Sequence, residues 1–165
     1  MAMLSCLMIE RVIVVTKPTR LEELLRRHSR GQLEFVLTRR GESLAEYEEE
    51  DVRSRAALDR VLGGVPRGLP REVITRDLVP RYLFRQNDLV VTIGPDGLVV
   101  NVAKYLDSQP ILAVNPDPAR IDGTLARFSP MAALSDVIAA AVHGTCDTDA
   151  LSLARATTSD GQTLL

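Results

Sequence analysis

Aromatic side chains are scarce in this chain, which has no tryptophan, three tyrosines and three phenylalanines among its 165 residues. Proteins that bind single-stranded nucleic acid stack bases on aromatic rings, so the scarcity argues against that role. The formal net charge of −2 argues in the same direction, because a nucleic-acid-binding surface is usually basic. We therefore expect no nucleic acid partner.

Cysteine is equally rare, with only Cys6 and Cys146 far apart in the sequence. Neither belongs to a Cys-x-x-Cys motif or a Cys/His cluster, so we predict no metal site. Such cysteine usage is typical of a reducing compartment, and we expect a cytoplasmic protein.

Long apolar runs are also missing, since none approaches the roughly 20 residues that span a bilayer. Residues 1–9 lack the basic start and the cleavage site of a signal peptide. We interpret them as an irregular lead-in and expect no membrane partner.

Short apolar runs alternate with helical patterns along most of the chain. Runs rich in β-branched residues are typical of strands buried in a parallel sheet, and they lie at 11–16, 72–75, 89–93 and 111–114. Helical patterns lie at 21–30, 43–62, 78–84, 97–107 and 131–142. We therefore predict a doubly wound α/β domain with a mostly parallel sheet over residues 1–145.

The long helical pattern in the first half has clear start signals. Ser43 is predicted to cap it, with Glu46 three residues later completing a capping box. The acidic run 48–51 fits a solvated helix face better than a metal site. Gly31 is predicted to end the preceding helix, and residues 33–37 fit a short strand or a helical turn equally well.

The pattern changes after residue 145. Residues 151–158 alternate like an antiparallel strand, Ser159-Asp160-Gly161 predicts a hairpin turn, and 162–165 start a return strand. A hairpin of this size cannot complete a sheet. We therefore expect residues 146–165 to be the first strands of a truncated second, β-rich domain.

Three loops are predicted to meet at one edge of the sheet, because the carboxyl ends of parallel strands share that edge. They span 16–20, 94–97 and 115–123. The helix after the second loop also presents unpaired N–H groups, which favour phosphate. The set predicts a phosphate-bearing ligand, and its candidate residues are Lys17, Arg20, Gly94, Asp96, Gly97, Asn115 and Asp117.

The sequence Ile-Gly-Pro-Asp-Gly at 93–97 resembles the Gly-Gly-Asp-Gly-Thr motif of NAD kinases, which diacylglycerol and sphingosine kinases share. Residues 110–125 contain Val-Asn-Pro-Asp-Pro-Ala-Arg, which is similar to the Val-Asn-Thr-Asp-Pro-Glu-Arg loop of the mitochondrial-type branch. Residues 14–20 are similar to the first strand and turn of that branch. The three segments follow the family's order, so the chain resembles the N-terminal domain of an NAD kinase.

This resemblance implies transfer of the γ-phosphate of ATP, with Mg²⁺, to the 2′-hydroxyl of the NAD adenosine ribose. Asp96 takes the position of the motif aspartate, which would accept the hydroxyl proton, orient the hydroxyl or hold Mg²⁺. Gly94 and Gly97 would let the backbone approach the phosphates. The resemblance also implies a homo-oligomer, and we expect self-association through the 131–142 helix or the last strand.

By the same resemblance, Asn115 and Asp117 would line the nucleotide pocket. Lys17 and Arg20 would contact phosphate by their charge and position, although both would also suit a solvated helix start. Asp117 would equally suit a turn.

Two residues depart from the family motif. Pro95 stands in place of its second glycine and removes an N–H, while Leu98 stands in place of its threonine and removes a hydroxyl. A non-catalytic nucleotide-binding or regulatory homologue is therefore the alternative function. Asp96 could also simply cap the helix that follows it. We expect this chain alone not to be a competent kinase.

Two other classes of protein fit the sequence less well. The Val-Asn-Pro-Asp-Pro loop speaks against a lipid kinase of the diacylglycerol type. A phospho-receiver domain needs an acidic pair after the first strand, where this chain has Thr16-Lys17-Pro18.

Overall fold

Four parallel strands form the central sheet of the computed structural model, which describes residues 8–129 and 133–164. The sheet order is β2-β1-β3-β4. The strands are β1 (Arg11–Thr16), β2 (Arg71–Thr75), β3 (Asp88–Ile93) and β4 (Ile111–Val114). All four predicted strands are confirmed, as is the α/β class with a parallel sheet flanked by helices.

The helices lie between and after these strands. They are α1 (Arg20–Leu25), α2 (Arg30–Arg39), α3 (Leu44–Gly64), a 3₁₀ helix (Arg76–Arg81), α4 (Asp96–Ala103) and α5 (Leu134–Val142). α4 is shorter than the 97–107 segment predicted from periodicity. The part of the predicted 131–142 helix that precedes residue 133 lies outside the described residues.

The two faces of the sheet are covered by different helices. Alternate residues of β1, such as Val12 and Val14, pack with α3 and α5 in one apolar cluster. The intervening residues, Ile13 and Val15, pack with α4 and the 3₁₀ helix in a second cluster. Because successive strand residues point to opposite faces, a continuous apolar strand can bury both.

The region between β1 and α3 differs from the prediction in one respect. Gly31 does not end a helix but lies in the first turn of α2, and residues 33–37 are helical. Ser29 caps α2 with a capping box, since its hydroxyl accepts from the N–H of Gln32, whose side chain accepts from Ser29. The cap at Ser29 separates α1 from α2, which begins at Arg30. This cap was not predicted from the sequence.

The start of α3 follows the prediction at Ser43, whose hydroxyl accepts a hydrogen bond at 3.2 Å. The donor is the N–H of Ala45, so the predicted capping box with Glu46 is wrong. The helix also continues through Gly63 and Gly64, which the sequence placed in a loop.

The last part of the chain contains a small hairpin. β5 (Ala156–Thr157) pairs antiparallel with β6 (Thr163–Leu164) around a turn in which Gly161 has φ 84°. The predicted turn is confirmed, but the first strand is much shorter than 151–158. Cys6 and most of the 1–9 lead-in lie outside the described residues.

No helix in residues 8–129 and 133–164 combines the length and the apolar character needed to cross a bilayer.

The amino ends of β1 and β3 are joined by a buried ion pair. Arg11 donates from Nε and Nη2 to both carboxylate oxygens of Asp88, at 2.9 and 2.7 Å, and Asp88 is only 1% exposed. Arg11 also lies over the ring of Tyr82, with 5.5 Å between its guanidinium carbon and the ring centre. These contacts join β1 and β3 at the amino end of the sheet.

Candidate functional site

The candidate site lies where the chain connections change sides of the sheet. β1 and β3 are neighbours, but the connection after β1 leads to α3 on one face and the connection after β3 leads to α4 on the other. Parallel sheets bind ligands in the crevice that opens at such a point, beyond the carboxyl ends of the strands. Thr16 pairs with Ile93 at these ends, so Lys17 and Gly94 begin the two walls of the crevice.

Lys17 and Arg20, both predicted to contact phosphate, are in different situations. Lys17 is exposed and has no hydrogen-bond or ion-pair partner within residues 8–129 and 133–164. Arg20 donates from Nε to Glu50 at 2.7 Å and stacks 4.5 Å from the ring centre of Tyr47. Lys17 is therefore available to a ligand, while Arg20 is held by its contacts with α3.

The acidic run at 48–51, interpreted from sequence as a solvated face, also anchors neighbouring segments to α3. Each of its carboxylates pairs with an arginine. Glu48 contacts Arg30, Glu49 lies 3.6 Å from Arg53 and 3.5 Å from Arg120, Glu50 lies 2.6 Å from Arg20, and Asp51 lies 2.9 Å from Arg55. The three glutamates remain exposed or partly exposed, as a solvated face requires, whereas Asp51 is buried. No group of three or more potential metal-ligating His, Cys, Asp or Glu side chains occurs in the described part of the chain.

The buried Thr19 ties the first crevice wall to the same helix. Its hydroxyl donates to the Asp51 carboxylate at 2.7 Å and accepts from the N–H of Glu22 at 3.2 Å, capping α1. These bonds fix the loop 17–20 at Thr19. They do not involve Lys17, at the other end of the loop.

Leu98, one of the two residues that depart from the NAD kinase motif, packs against the glycine-rich turn at 94–97. Gly94 has φ 156°, and a Cβ on it would lie 3.0 Å from Cδ2 of Leu98. Leu98 is buried and joins the apolar cluster beneath α4. Pro95 stands at the N-cap of α4, and the exposed Gly97 has open space around it. Leu98 thus anchors the helix start.

Asp96 does not cap the helix that it begins, so that alternative is wrong. Its carboxylate instead accepts three backbone hydrogen bonds from the loop after β4. The donors are the N–H groups of Thr124 at 2.8 Å, Leu125 at 3.1 Å and Ala126 at 2.9 Å. These bonds, that of Ala126 foremost, hold the pKa of the Asp96 carboxyl below its ordinary value because they favour the charged form.

Asn115 and Asp117 shape the first part of the same loop. The buried Asn115 donates from Nδ2 to the carbonyl of Ile121 at 2.7 Å and accepts the N–H of Asp117 at 3.0 Å. Asp117 lies 3.0 Å from Nε of Arg53, but the Arg53 N–H is not aligned for a hydrogen bond, so the contact is an ion pair. Both side chains are occupied by the fold, and the side-chain bond that stabilises this turn is accepted by Asn115, whereas the Asp117 carboxylate pairs with Arg53.

The second part of the loop is held against β4. Phe128 bridges to Val114, and the N–H of Asn115 donates to the Phe128 carbonyl at 2.8 Å. Gly123 permits the tight return between these anchors, since a Cβ there would lie 2.5 Å from the carbonyl oxygen of Ala126. The loop surrounds an open depression of about 280 Å³.

The structure brings the turn at 94–97 and the 115–128 loop into direct contact through Asp96, while Lys17 and Arg20 remain on the opposite wall. The sequence did not predict the roles of the backbone N–H groups at 124–126, of Gly123 or of Arg53. A glycine between Asp122 and Thr124 was a weak signal for the tight return. Nothing in the pattern of α3 marked Arg53.

No protein-family model matches this chain, and no curated protein matches it either.

Proposed function

We propose that this chain is the nucleotide-binding α/β domain of an NAD kinase-like phosphotransferase. The observation that carries the proposal is the position of Asp96, at the carboxyl end of β3 and at the point where the connections change sides. Such a crevice is where parallel α/β sheets bind nucleotides. The resemblance of three loops around it to NAD kinases supports the choice of ATP and NAD as ligands.

The chemistry assigned to each residue follows from its place. Phosphoryl transfer depends mainly on positioning and on stabilising charge. Lys17, exposed and unpaired among the described residues, would neutralise phosphate. Asp96 would orient the ribose hydroxyl or accept its proton, and we favour the orienting role because its lowered pKa makes it a weaker base.

Asp96 places a carboxylate at the crevice, and this ligand chemistry fits Mg²⁺. Mg²⁺ is commonly held by one or two carboxylates together with substrate phosphates and water. Asp96 would supply that carboxylate to an ion that arrives with ATP, where it would offset phosphate charge. A cytoplasmic location and a homo-oligomer remain part of the proposal.

A second candidate, a non-catalytic nucleotide-binding homologue, is favoured by one observation. Both oxygens of the Asp96 carboxylate are already bonded to the 124–126 backbone, as a purely structural residue would be. In that case the crevice would bind a nucleotide without transferring phosphate.

The test is formation of NADP from NAD, ATP and Mg²⁺ by this protein, alongside calorimetric binding of ATP and NAD. A kinase would lose about 10²-fold or more of its rate in Asp96→Asn. Exposed Asp160→Asn, in the distant hairpin, is the matched control and should retain the rate. Nucleotide binding without turnover would favour the second candidate. Neither binding nor turnover by a folded protein would overturn both.

A further inference from the structure

Three consecutive backbone N–H groups converge on one point beside the crevice. Those of Thr124, Leu125 and Ala126 all reach the carboxylate of Asp96, within 2.8–3.1 Å. Successive N–H groups that point to one side form a concavity that binds anions. The lowered pKa of Asp96 agrees, because it shows that this concavity stabilises negative charge.

The concavity is built by contacts that do not involve Asp96. Gly123 allows the backbone to pass close to the Ala126 carbonyl, and Asn115 fixes the carbonyl of Ile121. Phe128 pins the end of the loop to β4 on both sides of Val114. The three donors should therefore keep their arrangement when Asp96 leaves.

Open space lies next to one end of the concavity, where Gly123 and Ala126 line the depression of about 280 Å³. Arg127 lines the same depression, but it donates from Nε to the carbonyl of Thr124 at 2.9 Å. In a trans peptide this carbonyl points away from the N–H of Leu125, so the Arg127 guanidinium lies on the other side of the loop backbone from Asp96. The backbone N–H groups are therefore the donors of the concavity.

We propose that the backbone N–H groups of residues 124–126 form a binding site for a phosphoryl group that the carboxylate of Asp96 occupies in the ligand-free chain. A phosphate that takes these donors displaces Asp96 toward the crevice. In this exchange the phosphate becomes the anion bound by the backbone donors. The released Asp96 carboxylate then contacts the ribose hydroxyl. The choice of a nucleotide phosphate as the natural ligand rests on the proposed function, whereas binding of phosphate as such does not.

Inorganic phosphate is the probe, and the amide signals of Thr124, Leu125 and Ala126 in ¹H–¹⁵N spectra are the readout. In Asp96→Ala the donors are free, so phosphate should shift these amides saturably. Its apparent Kd should be at least about tenfold lower than in the wild type, where Asp96 competes for the same donors. In the Asp96→Ala background, Arg127→Gln should change phosphate binding no more than Arg155→Gln does, an equal loss of charge at another exposed arginine.

A series of thermal-unfolding measurements tests the proposal if Asp96→Ala is poorly stable. Phosphate should stabilise Asp96→Ala more than Val61→Ala, a core variant in α3 that reports the general effect of the salt. If Asp96→Ala does not fold, the wild type is titrated with phosphate and then pyrophosphate. Saturable shifts of the three amides would then support the exchange.

The proposal is overturned if the three amides do not respond to phosphate in any folded form, or if Asp96→Ala and Val61→Ala are stabilised equally. It is also overturned if phosphate binds the wild type and Asp96→Ala with equal affinity, because Asp96 would then not occupy the site. Failure of NADP formation alone, with these responses intact, would remove the kinase function and leave the phosphate site.

Discussion

The carboxylate of Asp96 accepts a hydrogen bond at 2.9 Å from the backbone N–H of Ala126, thirty residues further along the chain. This bond and its two neighbours join the start of α4 to the loop after β4. The residue that the family resemblance assigns to chemistry thus also links the start of α4 to the second wall of the crevice.

Asp96→Asn should destabilise the fold by about 1–2 kcal/mol at neutral pH, because the amide replaces a charged acceptor with one that can accept at a single oxygen. The pKa of Asp96 is lowered from 3.8 in the folded chain, so its contribution is present above that value and is lost as pH falls through the folded pKa. Urea unfolding of both proteins from pH 7 down to about pH 3 checks this. A gap in stability that stays constant or widens on acidification would contradict it.

Gly123→Ala should destabilise the fold by about 1–3 kcal/mol, since the added methyl would meet the Ala126 carbonyl oxygen at 2.5 Å. The loop would have to move and would loosen its bonds to Asp96. Gly97→Ala is the matched control, because a Cβ there has no described neighbour within 4 Å.

As a residue in the first turn of α4, Gly97 should gain up to about 1 kcal/mol of stability on replacement by alanine. Thermal or chemical unfolding measures both variants. Equal effects at the two positions would show that the tight return at Gly123 is not required.

Lys17→Gln should weaken ATP binding more than Arg20→Gln does. Lys17 has no described partner, and a charge-assisted contact with phosphate contributes roughly 1.5–3 kcal/mol, or about 10- to 100-fold in Kd. Arg20 is committed to Glu50, so its replacement should change Kd by less than about threefold. Calorimetry on folded variants gives both values. The reverse order would mean that the Arg20–Glu50 pair opens when the ligand binds.

Tyr82 should titrate at unusually high pH. Burial raises its pKa to about 12, helped by the hydrogen bond at 2.5 Å that its hydroxyl donates to Glu72. The folded chain therefore keeps a proton that the unfolded chain releases near pH 10, so the stabilisation is complete below about pH 10 and is lost as pH rises toward 12.

Ultraviolet absorbance of the phenolate follows this titration. Tyr82→Phe should remove the phase at highest pH, and Glu72→Gln should lower it by removing a neighbouring negative charge. A high-pH phase that survives Tyr82→Phe would assign it to another tyrosine.

Strands and turns were predictable because their signals are local. The β-branched run of Arg11–Thr16 and the apolar run before Gly94 fit strands buried on both faces, as in a parallel sheet covered by helices. Gly161 in the hairpin is a similar case, since its positive φ suits glycine. Ser29 shows the limit, because a cap between two helical patterns is easily read as part of one longer helix.

The sequence by itself determined the α/β class, the order of the strands along the chain and the three loops at their carboxyl ends. Only the tertiary structure decided what those loops do to one another. Asp96 is held by backbone N–H groups, which every residue other than proline carries and which leave no mark in a sequence. Arg20 pairs with Glu50, which is one of several adjacent acidic residues. Only the packing of α1 on α3 determines which of them Arg20 meets.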